Sequence, residues 1–149
     1  MKGHKSMHHV SLTLQIEVRS GRPLPAGSIV LDNTGSAPIR VWRTGNQWGD
    51  TVLSFEVSRG DDTVRIVRQP QVYTRNVPSS LAVPPGTRHE WPFDLGDGQW
   101  QADAPLEQVV VPGAQLVAVY NVPPSPEAKD QGVWTGEIRS KPVLLDKSP

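Results

Sequence analysis

The chain contains no cysteine. That excludes a disulfide framework, a thiolate zinc site and a cysteine nucleophile. It also lacks an excess charge of either sign. Its 15 basic side chains balance 15 acidic ones, so no general electrostatic pull draws it to nucleic acid. No apolar run approaches the roughly 18 residues that span a bilayer. No window combines the apolar stripe of an amphipathic helix with its caps. There is no Gly-x-Ser-x-Gly elbow and no repeat of fixed period, which argues against a propeller or solenoid. Of four histidines, only His89 lies outside the first nine residues.

What is present points to strands. Valine occurs 19 times, and Val, Ile and Thr together make 32 of 149 residues. Their β-branched side chains pack well on a pleated surface and lose freedom in a helix. Val10, Leu12, Leu14, Ile16 and Val18 alternate with Ser11, Thr13, Gln15 and Glu17, so one face is apolar and the other polar. Further strands are expected at Ser28–Asp32, Ile39–Arg43, Thr51–Ser58, Thr63–Arg68, Leu81–Val83, Thr87–Leu95, Gln115–Val122, Val133–Ser140 and Val143–Leu145. Arg59-Gly60-Asp61-Asp62 reads as a hairpin turn between two of them. Pro92 cannot donate to a ladder, which makes its strand an edge or the site of a bulge. Asn33 and Gly35 suit a turn with positive φ. The 15 prolines and 13 glycines fall largely between these runs, as turn and loop punctuation.

The expected fold is therefore all-β, an antiparallel immunoglobulin-like β-sandwich of about seven to nine strands. The connections after Arg68 and Tyr120 are long enough to cross between its sheets. Residues 1–9 are expected to form a flexible tail and 10–149 a single domain. A domain of this length buries about 70% of the surface its unfolded chain exposes, enough for a core without staples. The tail has no apolar core of a secretory signal, which implies a cytoplasmic protein by default, or a secreted one whose signal was removed.

From about Val10 to Leu145 the chain resembles the bacterial, disulfide-free immunoglobulin-like domains. The resemblance rests on the alternating first strand and on Gly27-Ser28-Ile29-Val30-Leu31-Asp32-Asn33-Thr34-Gly35-Ser36-Ala37-Pro38-Ile39-Arg40-Val41-Trp42. It extends to Leu81-Ala82-Val83-Pro84-Pro85-Gly86 and the closing Val133–Ser140. With its Asn-containing turn, its Trp48-Gly49-Asp50 loop and its lack of cysteine, it is similar to the BsuPI-type intracellular proteinase inhibitors. That similarity implies a cysteine-free sandwich whose loops inhibit a protease. The chagasin-type sandwiches share the layout, but their Asn-Pro-Thr-Thr-Gly loop is missing here.

Contact by loops is accordingly the expected activity. Sandwiches present loops from a rigid scaffold, and partners usually meet them there. Asn46, Gln47 and Trp48 form one candidate group, with Trp48 as an aromatic anchor. Pro124, Ser125 and Pro126 form a second, in a segment expected to be extended, pre-ordered polyproline. The first reading is a non-enzymatic binding module, a proteinase inhibitor in its sharpest version, with another protein as partner. It would be a monomer or weak dimer, with no nucleic acid, membrane, metal or cofactor. The alternative is a carbohydrate-binding module that stacks sugars on exposed Trp48 or Trp100. A small enzyme would need a polar pocket holding His89 beside a carboxylate. His4, His8 and His9 do not supply three or four converging metal ligands. Asp94, Asp97 and Asp103 lack the spacing of a calcium loop. Arg59-Gly60-Asp61 is read as a soluble turn.

Overall fold

A computed structural model describes residues 10–20 and 24–145. The expected tail, with His4, His8 and His9, lies outside the described residues, as do Gly21, Arg22, Pro23 and the last four residues. The fold is all-β and sandwich-like, built from antiparallel sheets without a barrel. One sheet has the order β1 (Leu12–Ser20), β2 (Ala26–Asn33), β7 (Arg88–Asp94). The other runs β10 (Gly136–Arg139), β9 (Gln115–Val122), β4 (Leu53–Arg59), β5 (Asp62–Arg68), β8 (Trp100–Gln101), with β11 (Val143–Leu144) also on β9. β3 (Ile39–Trp42) and β6 (Ser80–Val83) pair separately. The eleven described strands exceed the expected seven to nine; β8, a two-residue pairing too short to carry a periodic signal, is the one that no expected run covers, whereas β11 falls on the expected Val143–Leu145.

The alternating pattern places the core as expected. Ile29 and Leu31 of β2, with Trp91 and Phe93 of β7, share one hydrophobic core with Phe55 and Val57 of β4, Ile66 of β5 and Leu116, Ala118 and Tyr120 of β9. β2 lies between two neighbours, and its Ile29, Val30 and Leu31 are all buried, as a strand covered on both faces requires. β1 lies at the edge and buries only Leu14 completely, and Val10 precedes the strand and is exposed. Pro92, opposite Ser28, sits in β7, which has a sheet neighbour on one side only. The Arg59 to Asp62 hairpin forms as expected, with Gly60 at φ 59°.

Three expectations needed correction. The turn after β2 contains no residue with positive φ. It is closed by the buried Asn33 side chain, which accepts from Gly35 N–H at 3.1 Å and donates to the Ala37 and Val83 carbonyls at 2.9 Å each. That Asx turn supplies the reversal from ordinary backbone angles. The connection after Tyr120 does not cross between sheets, since β10 pairs back onto β9. Nor is it extended throughout: it contains α3 (Pro126–Gln131). Ser125 caps that helix by accepting from Ala128 N–H, Pro126 opens it, and Gly132 ends it in the left-handed conformation. Ser before Pro at the start and Gly after the end are strong local helix signals. They outweigh the polyproline reading, although the helix is too short for an apolar stripe. α1 (Gln47–Asp50) and α2 (Leu106–Val109) are likewise single turns.

Candidate functional site

The residues of interest gather around α1, the crossing segment 69–79 and the open seam between β7 and the β5–β8 edge. α1 is held from below. Asn46 is buried, accepts from Gly49 N–H at 2.9 Å and donates to the Arg43 carbonyl at 3.2 Å. Gly49 packs so tightly that a Cβ there would lie 1.8 Å from the Arg43 carbonyl oxygen, so only glycine fits without moving backbone. Trp48 is half-buried and packs on buried Trp42, ring centroids 6.3 Å apart. Of the first candidate group, only Gln47 is exposed.

Gln47 and Asp50 work as braces for the 69–79 segment. Gln47 N–H donates to Asn76 Oδ1, and Asn76 Nδ2 donates to Gln47 Oε1, both at 2.9 Å. Tyr73 O–H donates to Asp50 Oδ2 at 2.8 Å, while Asp50 Oδ1 accepts from Gly45 N–H at 2.9 Å. The Tyr73 hydroxyl is pushed up to about 12, by burial first and then by the hydrogen bond and negative charge of Asp50. Further anchors tie Gln69 N–H to the Gln99 carbonyl, Gln71 to the Gln99 side chain, Gln131 Nε2 to the Pro78 carbonyl, and Arg43 N–H to the Ser79 carbonyl. Between the Tyr73 and Asn76 anchors, Thr74 and Arg75 form an exposed bend, and Val72 beside it is fully exposed. The second candidate group lies in and just before α3. Pro124 and Pro126 are exposed, and Ser125 is committed to the helix cap. The sequence marks the 69–79 segment only as a connection long enough to cross between sheets, because its residues, two prolines among them, have no periodicity.

The seam is a cleft of about 580 Å³. Arg43, Asp50, Arg68, His89, Glu90, Trp91 and Trp100 all line it. His89 stands edge-on to Trp91, centroids 4.7 Å apart. Burial, and then the charge of Arg43, hold its imidazole below the ordinary 6.5. The polar pocket sought for an enzyme is thus present, with His89 among ionisable groups. No serine lines it, but the Thr44 hydroxyl and the Asp50 and Glu90 carboxylates do. Among the described residues, no group of three acidic or histidine side chains is placed to hold a metal. Asp94 and Asp97 are engaged in turns, accepting from Gly96 and Gln99 N–H. No helix among the described residues is long and apolar enough to cross a membrane.

The tryptophans do not form the exposed platform expected of a sugar binder. Trp42, Trp91 and Trp100 are buried, and Trp48 and Trp134 are half-buried. They build an aromatic spine instead: His89 on Trp91, Trp91 on Tyr120, and Tyr120 stacked on Trp134 at 5.8 Å. Phe55 bridges Phe93 and Trp100. Trp100 is buried and not exposed as sugar stacking requires: it forms β8, where its ring reaches Phe55 across the core.

Comparison with family models, curated proteins and solved structures finds no match to this chain. The likeness to the BsuPI-type inhibitors rests on the short motifs alone.

Proposed function

We propose that this chain is a non-catalytic interaction module that presents residues 69–79 to a protein partner, in its sharpest form as a proteinase inhibitor of the kind the BsuPI-like motifs suggest. The observation that carries the reading is the bend at Thr74-Arg75, exposed and bracketed by the Tyr73–Asp50 and Asn76–Gln47 anchors. A segment already ordered in its bound shape loses little entropy on association. Exposed loops on a rigid scaffold are where sandwiches meet partners. Gln47 then acts as a brace and not as a contact, and Arg75 and Val72 become the leading contacts. An exposed arginine on a braced loop suits a protease with an acidic specificity pocket, as in trypsin.

The test is a titration of the full chain against serine and cysteine proteases, with trypsin-like enzymes included. Slowing at micromolar concentration that disappears in Arg75→Ala supports the reading. The absence of slowing across the panel removes the inhibitor version. Retention of the effect in Arg75→Ala moves the contact away from this segment.

A further inference from the structure

The 69–79 segment is tied down on both sides of one peptide bond. Asn76 is clamped through both atoms of its amide: Oδ1 accepts from Gln47 N–H and Nδ2 donates to Gln47 Oε1, both at 2.9 Å. Beyond it, the Pro78 carbonyl accepts from Gln131 Nε2 at 3.0 Å, and the Ser79 carbonyl from Arg43 N–H at 2.7 Å. On the other side Tyr73 O–H donates to Asp50 at 2.8 Å, and Gln69 N–H to the Gln99 carbonyl at 2.7 Å. Thr74 and Arg75 lie exposed between the two sets of anchors. The Arg75–Asn76 bond thus joins an exposed residue to one held in place by its own side chain.

Cutting that bond would leave both new ends near each other. In a flexible chain hydrolysis runs one way, because the ends diffuse apart and closing the gap again costs entropy. Here the new amine belongs to Asn76, whose side chain stays on Gln47. The new carboxylate belongs to Arg75, close to the Tyr73 anchor on Asp50. Groups held in reacting positions behave as if at very high local concentration.

We infer that Arg75–Asn76 is a reversible reactive-site bond, which a serine protease docked on Arg75 both cuts and re-forms, with the Gln47 clamp on Asn76 keeping the leaving amine in place. The inference rests on the reading of residues 69–79 as the presented segment, and it adds the bond and the step. The protease supplies the chemistry. Its serine oxygen attacks the Arg75 carbonyl carbon, the C–N bond breaks, and the Asn76 nitrogen takes a proton from the protease histidine. Water then cleaves the ester and releases the Arg75 carboxylate. In reverse, the carboxylate re-forms the ester with loss of that water. The Asn76 amine attacks the ester carbonyl, expels the serine oxygen and restores the peptide bond.

The test uses the full chain with trypsin in catalytic amount. One sample starts intact, and a second starts from chain already cut after Arg75 and purified under native conditions. Mass spectrometry follows the ratio of cut to intact chain through the one water that hydrolysis adds. The expected result is convergence of both samples on one ratio, with intact chain re-formed from the cut sample. Gln47→Ala removes the side-chain half of the clamp and keeps the main-chain N–H. It should move the ratio about fivefold toward cut chain, the worth of one hydrogen bond. The ratio is an equilibrium property of the chain, so an altered contact with the protease does not change it. Should Gln47→Ala unsettle α1, Asn76→Ala, which alters only the exposed segment, decides the case. One-way conversion to cut chain, no cleavage after Arg75, or a ratio unmoved by loss of the clamp overturns the inference. Slowing of proteases is measured separately. Its absence across the panel removes the inhibitor reading, whereas slowing with one-way cleavage removes only the reversible bond.

Discussion

Replacing Tyr73 with Phe removes one oxygen and leaves the ring. The lost hydroxyl donates at 2.8 Å to the Asp50 carboxylate in a partly buried setting. Hydrogen bonds to charged groups contribute about 1.5–3 kcal/mol. Here water can hydrate part of the released carboxylate, and Asp50 keeps Gly45 N–H, so about 1 kcal/mol is the working figure. The loss falls on the anchor beside the Thr74-Arg75 bend, so its effect should be local. If opening of this segment is fast relative to cleavage, cutting follows the open population, and 1 kcal/mol raises that about fivefold. Trypsin under native conditions should therefore cut Tyr73→Phe after Arg75 about fivefold faster than the parent chain, followed by mass spectrometry. The midpoint of global unfolding should fall by no more than about 4 °C. Equal cleavage rates would refute the claim that this bond restrains the segment. A collapse of the midpoint would show that the hydroxyl supports the whole fold.

Two further predictions concern the aromatic spine. Tyr120 is fully buried between Trp91 and Trp134, its hydroxyl has no partner among the described residues, and burial raises its pKa well above the ordinary 10. Tyr120→Phe should therefore stabilise the chain by about 1 kcal/mol, the low end of the cost of an unsatisfied buried group. A loss of stability in chemical denaturation would mean that the hydroxyl has an acceptor. His89 titrates below its ordinary 6.5 because burial, and then Arg43, disfavour its charged form; Arg68, Asp50 and Glu90 line the same cleft. The unfolded chain thus takes up this proton first. The stability His89 contributes is full above pH 6.5 and is lost as pH falls through its lower folded value. The difference between the parent and His89→Asn melting curves isolates this residue from the other three histidines. It should shrink on acidification, and a difference that grows instead would reverse the sign of the argument.

Much of the fold was legible because strand signals are local. Gln115–Val122 was bounded correctly from sequence, and β2 and β7 were placed within two residues. Each is an apolar run closed by turn residues. Trp91, Phe93 and Leu95 are buried and alternate with exposed Glu90, Pro92 and Asp94, since alternation fixes which side chains share a face. What failed was what a window cannot hold. Trp100 looked peripheral beside Gly98, but a two-residue pairing with Val67 and Arg68 draws it into the core. The α3 helix carries its cap signals in Ser125, Pro126 and Gly132, but three prolines in residues 123–132 mask them.

The alternation of apolar and polar side chains by itself determined that this chain forms stacked antiparallel strands, because burying one face of each is the main way to remove that surface from water. Which groups meet at the site was decided only in three dimensions. Asp50 reaches Tyr73 from 23 positions away, and Arg68, His89 and Trp100 line one cleft from three different strands. Unpaired donors become visible only once the sheets have packed, since a side chain's partners are set by the register and crossing of strands and not by its neighbours in sequence.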